Sequence, residues 1–149
     1  MKTAPRDRTI EILLVEDSNT DALFTSEAFA ESTLVNRLHV VEDGVKAISF
    51  LRREAPYAAA PRPDLILLDL NLPKKNGFEV LAEIKADEDL RVIPVLILTT
   101  SSADDDVLRS YRLHANAYLT KPSGLASYAE TADAIERFWF RSVTSPHRL

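Results

Sequence analysis

Polar residues able to do chemistry stand where apolar runs stop in this chain. Ile10-Glu11-Ile12-Leu13-Leu14-Val15 runs into Glu16-Asp17, and Asp64-Leu65-Ile66-Leu67-Leu68 runs into Asp69, then Leu70-Asn71-Leu72-Pro73. The stretch from Ile93 to Leu98 stops at Thr99-Thr100-Ser101, and Tyr118-Leu119-Thr120 stops at Lys121-Pro122. A buried parallel strand reads as a nearly continuous apolar run, and ligands of open α/β sheets bind beyond the strands' carboxyl ends. Two such ends would gather Glu16, Asp17 and Asp69 into one crevice. Three carboxylates that close repel one another, so either one holds a proton or a cation compensates. Oxygen ligands of this kind suit a hard cation.

Strand-like and helix-like segments alternate five times, the pattern of a parallel sheet with helices on both faces. The expected strands lie near 10–15, 37–41, 64–69, 93–98 and 116–119, with helices near 19–32, 44–54, 78–87, 104–114 and 125–142. Pro94 falls early in its strand, where a missing N–H is tolerated. The Ala/Pro spacer at 55–63 reads as a surface loop. One α/β domain is expected over 10–142, between a flexible N-terminal segment, 1–9, and a C-terminal tail, 143–149.

At 149 residues, 46% of them hydrophobic, the chain has the length and composition for one domain with a real core. A net charge of −5 argues against a broad phosphate-binding surface, so direct DNA binding is not expected. The absence of cysteine excludes disulfides and thiolate chemistry. The first residues contain no apolar signal core and no window approaches a membrane span, so a cytoplasmic location is expected.

Glu16-Asp17, Asp69 followed by Asn71 and Pro73, Lys74-Lys75-Asn76-Gly77, Thr99 and Lys121-Pro122 form an ordered set. That set resembles the receiver domain of two-component response regulators, from about Ile10 to the last helix. His39-Val40-Val41-Glu42-Asp43-Gly44, the 55–63 spacer and Leu108-Arg109-Ser110-Tyr111 further resemble stand-alone receivers associated with bacterial phytochromes. The resemblance implies a flavodoxin-like receiver fold whose Asp69 takes a phosphoryl group from a sensor histidine kinase, with a bacteriophytochrome as the suggested donor. It implies Mg²⁺ held by Asp17, Asp69, the Asn71 backbone carbonyl and waters, with Glu16 acting through a water. Thr99 and Lys121 would donate to phosphoryl oxygens that gain charge during transfer. Tyr118 would be the switch aromatic that turns inward when Thr99 closes, and Lys121-Pro122 is a candidate cis peptide aiming Lys121 inward.

Each residue alone has a plainer explanation. Acids favour helix N-termini, which would account for Glu16-Asp17. Asp69 would cap a turn, Thr99 would be an ordinary strand residue, Lys121 a loop lysine and Tyr118 a surface aromatic. Two rival functions also stand. A dehalogenase-like aspartyl phosphatase or phosphotransferase would want a second carboxylate where Asn71 stands, and a phosphorylation-independent binding module would need none of the set. His39, His114 and His147 share no ligand spacing, so the phosphodonor is expected to be a separate protein.

Most receivers continue after Lys-Pro with an aromatic, whereas Ser123-Gly124 follows here. Only 28 residues follow Lys121, so signalling is expected to pass by contact, self-association or onward transfer. In the last helix Ala132, Ile135 and Phe138 make the expected inward stripe. Trp139 or Phe140 is then a candidate partner surface for a homodimer, or folds back on the domain. In the first helix Phe24 and Ala28 face inward, leaving Leu23 as a kinase contact.

Overall fold

The computed structural model describes residues 9–142, so most of the expected N-terminal segment, the 143–149 tail and His147 lie outside the described residues. Five strands, β1 Ile10–Val15, β2 Asn36–Val41, β3 Leu65–Leu68, β4 Val95–Thr99 and β5 Ala117–Thr120, form one parallel sheet in the order β2-β1-β3-β4-β5. β1, β3 and β4 are buried along their whole length, which is why they read as apolar runs broken only by Glu11, paired with Arg37 and His39, and by the terminal Thr99. β2, at the sheet's edge, mixes exposed and covered positions.

Helices α1 Asn19–Ala30 and α5 Leu125–Ile135 cover one face, packing on Ile10, Ile12, Leu14, Leu65, Leu67 and Leu96. Helices α2 Gly44–Leu51 and α3 Gly77–Ala86 cover the other face, on Leu13, Val15, Ile66, Leu68 and Ile97. Helix α4, Asp104–Arg112, buries only Ser110 and is the most lightly seated of the five. The chain steps from β1 to β2 on one side and then returns past β1, through α2, to β3 on the other, so a crevice opens at the carboxyl ends of β1 and β3.

Local chemistry starts the helices around that crevice. The Ser18 hydroxyl accepts from Asp21 N–H at the start of α1, 3.2 Å, and Asp43 accepts from Lys46 N–H at the start of α2, 2.7 Å. Asn76 and Glu79 form a reciprocal capping box on α3. Two glycines let the loop after β3 lie close. A Cβ on Gly77 would sit 2.2 Å from the Asp69 carbonyl oxygen, and one on Gly44 1.9 Å from that of Lys75.

The structure departs from the expected boundaries for physical reasons. Asp64 precedes β3 because its carboxylate accepts from Glu11 N–H, 2.8 Å, while its own N–H donates to Glu11 O, 2.7 Å. Pro94 precedes β4 and serves only as acceptor, from Ile66 N–H at 3.0 Å. Helix α2 stops at Leu51, and Arg53 takes a left-handed φ of 55°.

The largest correction concerns the last helix. After Ile135 it widens into a π-helix, Glu136–Ser142. Buried Glu136 accepts from Thr33 Oγ1, 2.5 Å, and Arg141 Nη2, 3.2 Å, and also from the Ser32 hydroxyl, which ties the wide turn to the α1–β2 connection. The change of pitch rotates the aromatics. Trp139 and Phe140 pack partly buried against the α1/α5 core, and Phe138, expected inside, is 56% exposed.

Candidate functional site

Backbone pairing carries each polar residue one step past its strand. Glu16 N–H donates to Val41 O, 2.9 Å, Asp69 N–H to Val15 O, 3.1 Å, and Lys121 N–H to Thr99 O, 2.7 Å. The Glu16 and Asp69 side chains are thereby buried side by side, with Asp17 exposed at the mouth. One oxygen from each of Glu16, Asp17 and Asp69 lies within 4.8 Å of the others. This donor set of three carboxylates fits a hard divalent cation.

Lys121 spans the carboxylates. Its Nζ lies 2.7 Å from Glu16 Oε1, 2.8 Å from Asp69 Oδ2 and 2.8 Å from Asp21 Oδ2. An ammonium has three N–H groups, and here each has a carboxylate. Burial pushes the Glu16 carboxyl up to about 7, the Lys121 hydrogen bond opposing that rise and the Asp69 charge adding to it. Burial alone would lower the Lys121 pKa, but the three carboxylates outweigh it and hold the group above its usual value.

The Thr99 hydroxyl is fully buried and has no hydrogen-bond partner among the described residues. Leaving a buried hydroxyl unpaired costs about 1–3 kcal/mol. Asn71 N–H donates to Asp69 Oδ1, 3.2 Å, fixing the carboxylate's second oxygen. The half-buried Tyr118 packs against the α2/α3 core and donates its hydroxyl to Ser101 O, 2.8 Å. Ser101 Oγ in turn donates to Asp106 Oδ2 in α4, 2.6 Å. Strand β4 is therefore linked to α4 through one short loop.

The family model for the response regulator receiver domain matches residues 12–133. The chain belongs to the response regulator receiver family. This receiver is 51% identical over 135 residues to response regulator Rcp1 of Synechocystis sp., covering 91% of this chain and 92% of that protein. The Mn²⁺-bound structure of Rcp1 superposes with a TM-score of 0.85 at 50% identity, over 92% of this chain and 99% of that one. The phosphorylated cyanobacterial phytochrome response regulator RcpA gives a TM-score of 0.89 at 49% identity, over 93% and 99% of the two chains. Bacteriophytochrome response regulator RtBRR gives 0.75 at 40% identity, over 92% and 82%. The protein is thus a receiver-domain response regulator of two-component signalling, homologous to the phytochrome response regulators.

Against the sequence reading, the receiver brings Glu16, Asp17, Asp69 and Lys121 together at the β1/β3 crevice, with Thr99 ending β4 next to it. The candidate cis bond at Lys121-Pro122 is corrected: the only cis peptide among the described residues is Ala55–Pro56. Lys121 turns inward without it, because three carboxylates draw the ammonium in. Asp21 is the site residue that the sequence did not reveal. Three residues after Ser18, it reads as part of a helix cap, and nothing local pairs it with a lysine 100 residues away. His39 and His114 stay out of the crevice: His39 Nε2 lies 2.8 Å from Glu11 Oε1 on β1, and His114 follows α4 with a φ of 73°.

Proposed function

We propose that this receiver takes a phosphoryl group onto Asp69 from the phosphohistidine of a sensor histidine kinase. The carrying observation is one buried carboxylate, Asp69, with an ammonium at 2.8 Å, two further carboxylates beside it and the unpartnered Thr99 hydroxyl at the neighbouring strand end. A carboxylate oxygen of Asp69 forms the bond to phosphorus while the phosphorus–nitrogen bond to the donor imidazole breaks, and its electron pair returns to the ring nitrogen. Thr99 and Lys121 donate hydrogen bonds to the phosphoryl oxygens as their charge grows. Lys121 does so by giving up one of its three carboxylates. Mg²⁺ is the proposed cation, held by Asp17, Asp69 and the Asn71 carbonyl, with Glu16 through a water. When bound it supplies positive charge against the carboxylates and the phosphoryl oxygens.

The protein acts on itself, at one residue, and so is a phosphoacceptor regulator rather than an enzyme with turnover on a separate substrate. Movement of Thr99 toward a phosphoryl oxygen would pull the loop that Tyr118 and Ser101 join to α4, a helix seated through a single buried residue. A bacteriophytochrome kinase as donor is supported by the naming of the phytochrome-associated relatives. Homodimerisation through the last helix is supported by Phe138, exposed next to the apolar Ala117, Leu119 and Ala134. No helix among the described residues is long and apolar enough to cross a membrane, which is in keeping with work in the cytoplasm. The net charge of −5 favours protein partners over DNA. We take 10–142 as the receiver unit.

Intact-mass spectrometry after incubation with a phosphorylated kinase and Mg²⁺ tests the proposal. The mass rises by one phosphoryl group in the wild type and not in Asp69→Asn. Undiminished labelling of that variant refutes the assignment.

A further inference from the structure

The described structure gives Lys121 a third carboxylate partner outside the acidic cluster. Asp21 Oδ2 accepts from its Nζ at 2.8 Å, yet Asp21 is not among the three acids whose oxygens converge. Its place on α1 is firmly set. Its N–H donates to Ser18 Oγ, 3.2 Å, and its carbonyl accepts from Thr25 Oγ1, 2.8 Å. Its carboxylate also faces the buried Tyr128 of α5, whose phenol is pushed up to about 12 by burial and then by the Asp21 charge. The Tyr128 ring packs on Phe24 of α1 with centroids 5.6 Å apart, so this is a fixed corner of the α1/α5 contact.

A divalent cation and the Lys121 ammonium both draw on the carboxylates of Glu16 and Asp69, and two positive groups that close repel each other. With Asp21 present, one N–H of Lys121 is directed away from the cation's ligands and the ammonium keeps an anion of its own. Without Asp21, both remaining partners of Lys121 are groups the cation needs. We propose that Asp21 is a positioning residue: by giving the Lys121 ammonium an anion on α1 outside the cation's ligand set, it lessens the ammonium's hold on Glu16 and Asp69 when the cation binds. The inference rests on reading Glu16, Asp17 and Asp69 as the cation's ligands.

The direct field of Asp21 on the cation would act with the same sign, so the test is a double-mutant cycle with Lys121. Calorimetric Mg²⁺ titration of the unphosphorylated full chain compares wild type, Asp21→Asn, Lys121→Gln and the double variant, with thermal melts to verify folding. Asp21→Asn weakens Mg²⁺ binding about threefold or more when Lys121 is present and less than about twofold in the Lys121→Gln background. Asp21→Ser serves as a second variant should the amide perturb α1, and gives the same coupling. Equal weakening in both backgrounds means that only charge is at work and overturns the proposal, as does no weakening in either. A wild type that binds no Mg²⁺ overturns both the proposal and the ligand reading beneath it, whereas normal binding with no coupling overturns the proposal alone.

Discussion

Replacing Lys121 with Gln removes the ammonium that Glu16, Asp21 and Asp69 share and leaves buried carboxylates facing one another. Deleting one partner of a buried ion pair costs about 3–5 kcal/mol. Asp21 is partly open to water, so the lower end applies, and at about 2–4 °C per kcal/mol for a chain of this size the melting temperature falls by about 6–12 °C. The loss depends on pH in a fixed direction. Glu16 ordinarily titrates at 4.5 and in the fold at about 7, so between those values the folded state binds the extra proton. Its contribution to stability is therefore complete below 4.5 and is lost as pH rises through about 7. Lys121 shifts upward from 10.5, so its own contribution stays intact through that window. Removing the ammonium drives Glu16 higher still, which makes the substitution most costly near pH 8 and less costly near about pH 5.5, where Glu16 is protonated. Differential scanning calorimetry at both pH values, in chelator and in millimolar Mg²⁺, measures this. Mg²⁺ recovers most of the loss at the higher pH by supplying the missing positive charge. A loss that is the same at both pH values and indifferent to Mg²⁺ would show that Lys121 matters for packing alone and refute the reasoning.

Leu23, 54% exposed on α1, is expected to contact the kinase. Leu23→Asp slows transfer from a phosphorylated kinase and leaves phosphorylation by a small-molecule donor unchanged; equal slowing with both donors removes the contact. Phe138→Asp lowers self-association in light scattering across a concentration series, whereas Trp139→Ala, which cuts into the partly buried core, lowers stability by about 1–3 kcal/mol. A wild type that stays monomeric at high concentration ends the dimer reading. Gly77→Ala puts a Cβ 2.2 Å from the Asp69 carbonyl oxygen, so it destabilises by about 1–3 kcal/mol and slows phosphorylation; an unchanged melt and rate would show that the loop yields freely.

The strand ends were legible in the sequence because burial on both faces favours apolar residues along β1, β3 and β4, Glu11 being the one charge inside them. A polar residue that closes such a run marks the strand's carboxyl end, and Glu16, Asp69 and Thr99 stood there together in the sequence. Lys121 was legible less by burial, since β5 is only partly covered, than by its place in the ordered set. Tertiary structure decided what local pattern does not encode. Asp21 looks like any acid in a helix's first turn until β5 delivers Lys121 to it across the sheet. Regular helical spacing groups Phe138 with Ala132 and Ile135, but the buried Glu136 finds its donors on the α1–β2 connection, and the wider turn sends Phe138 to solvent while Trp139 and Phe140 meet the core. Periodicity reports which residues share a face of one ideal helix, whereas the pitch of a helix and the partners of a charge depend on segments distant in the chain.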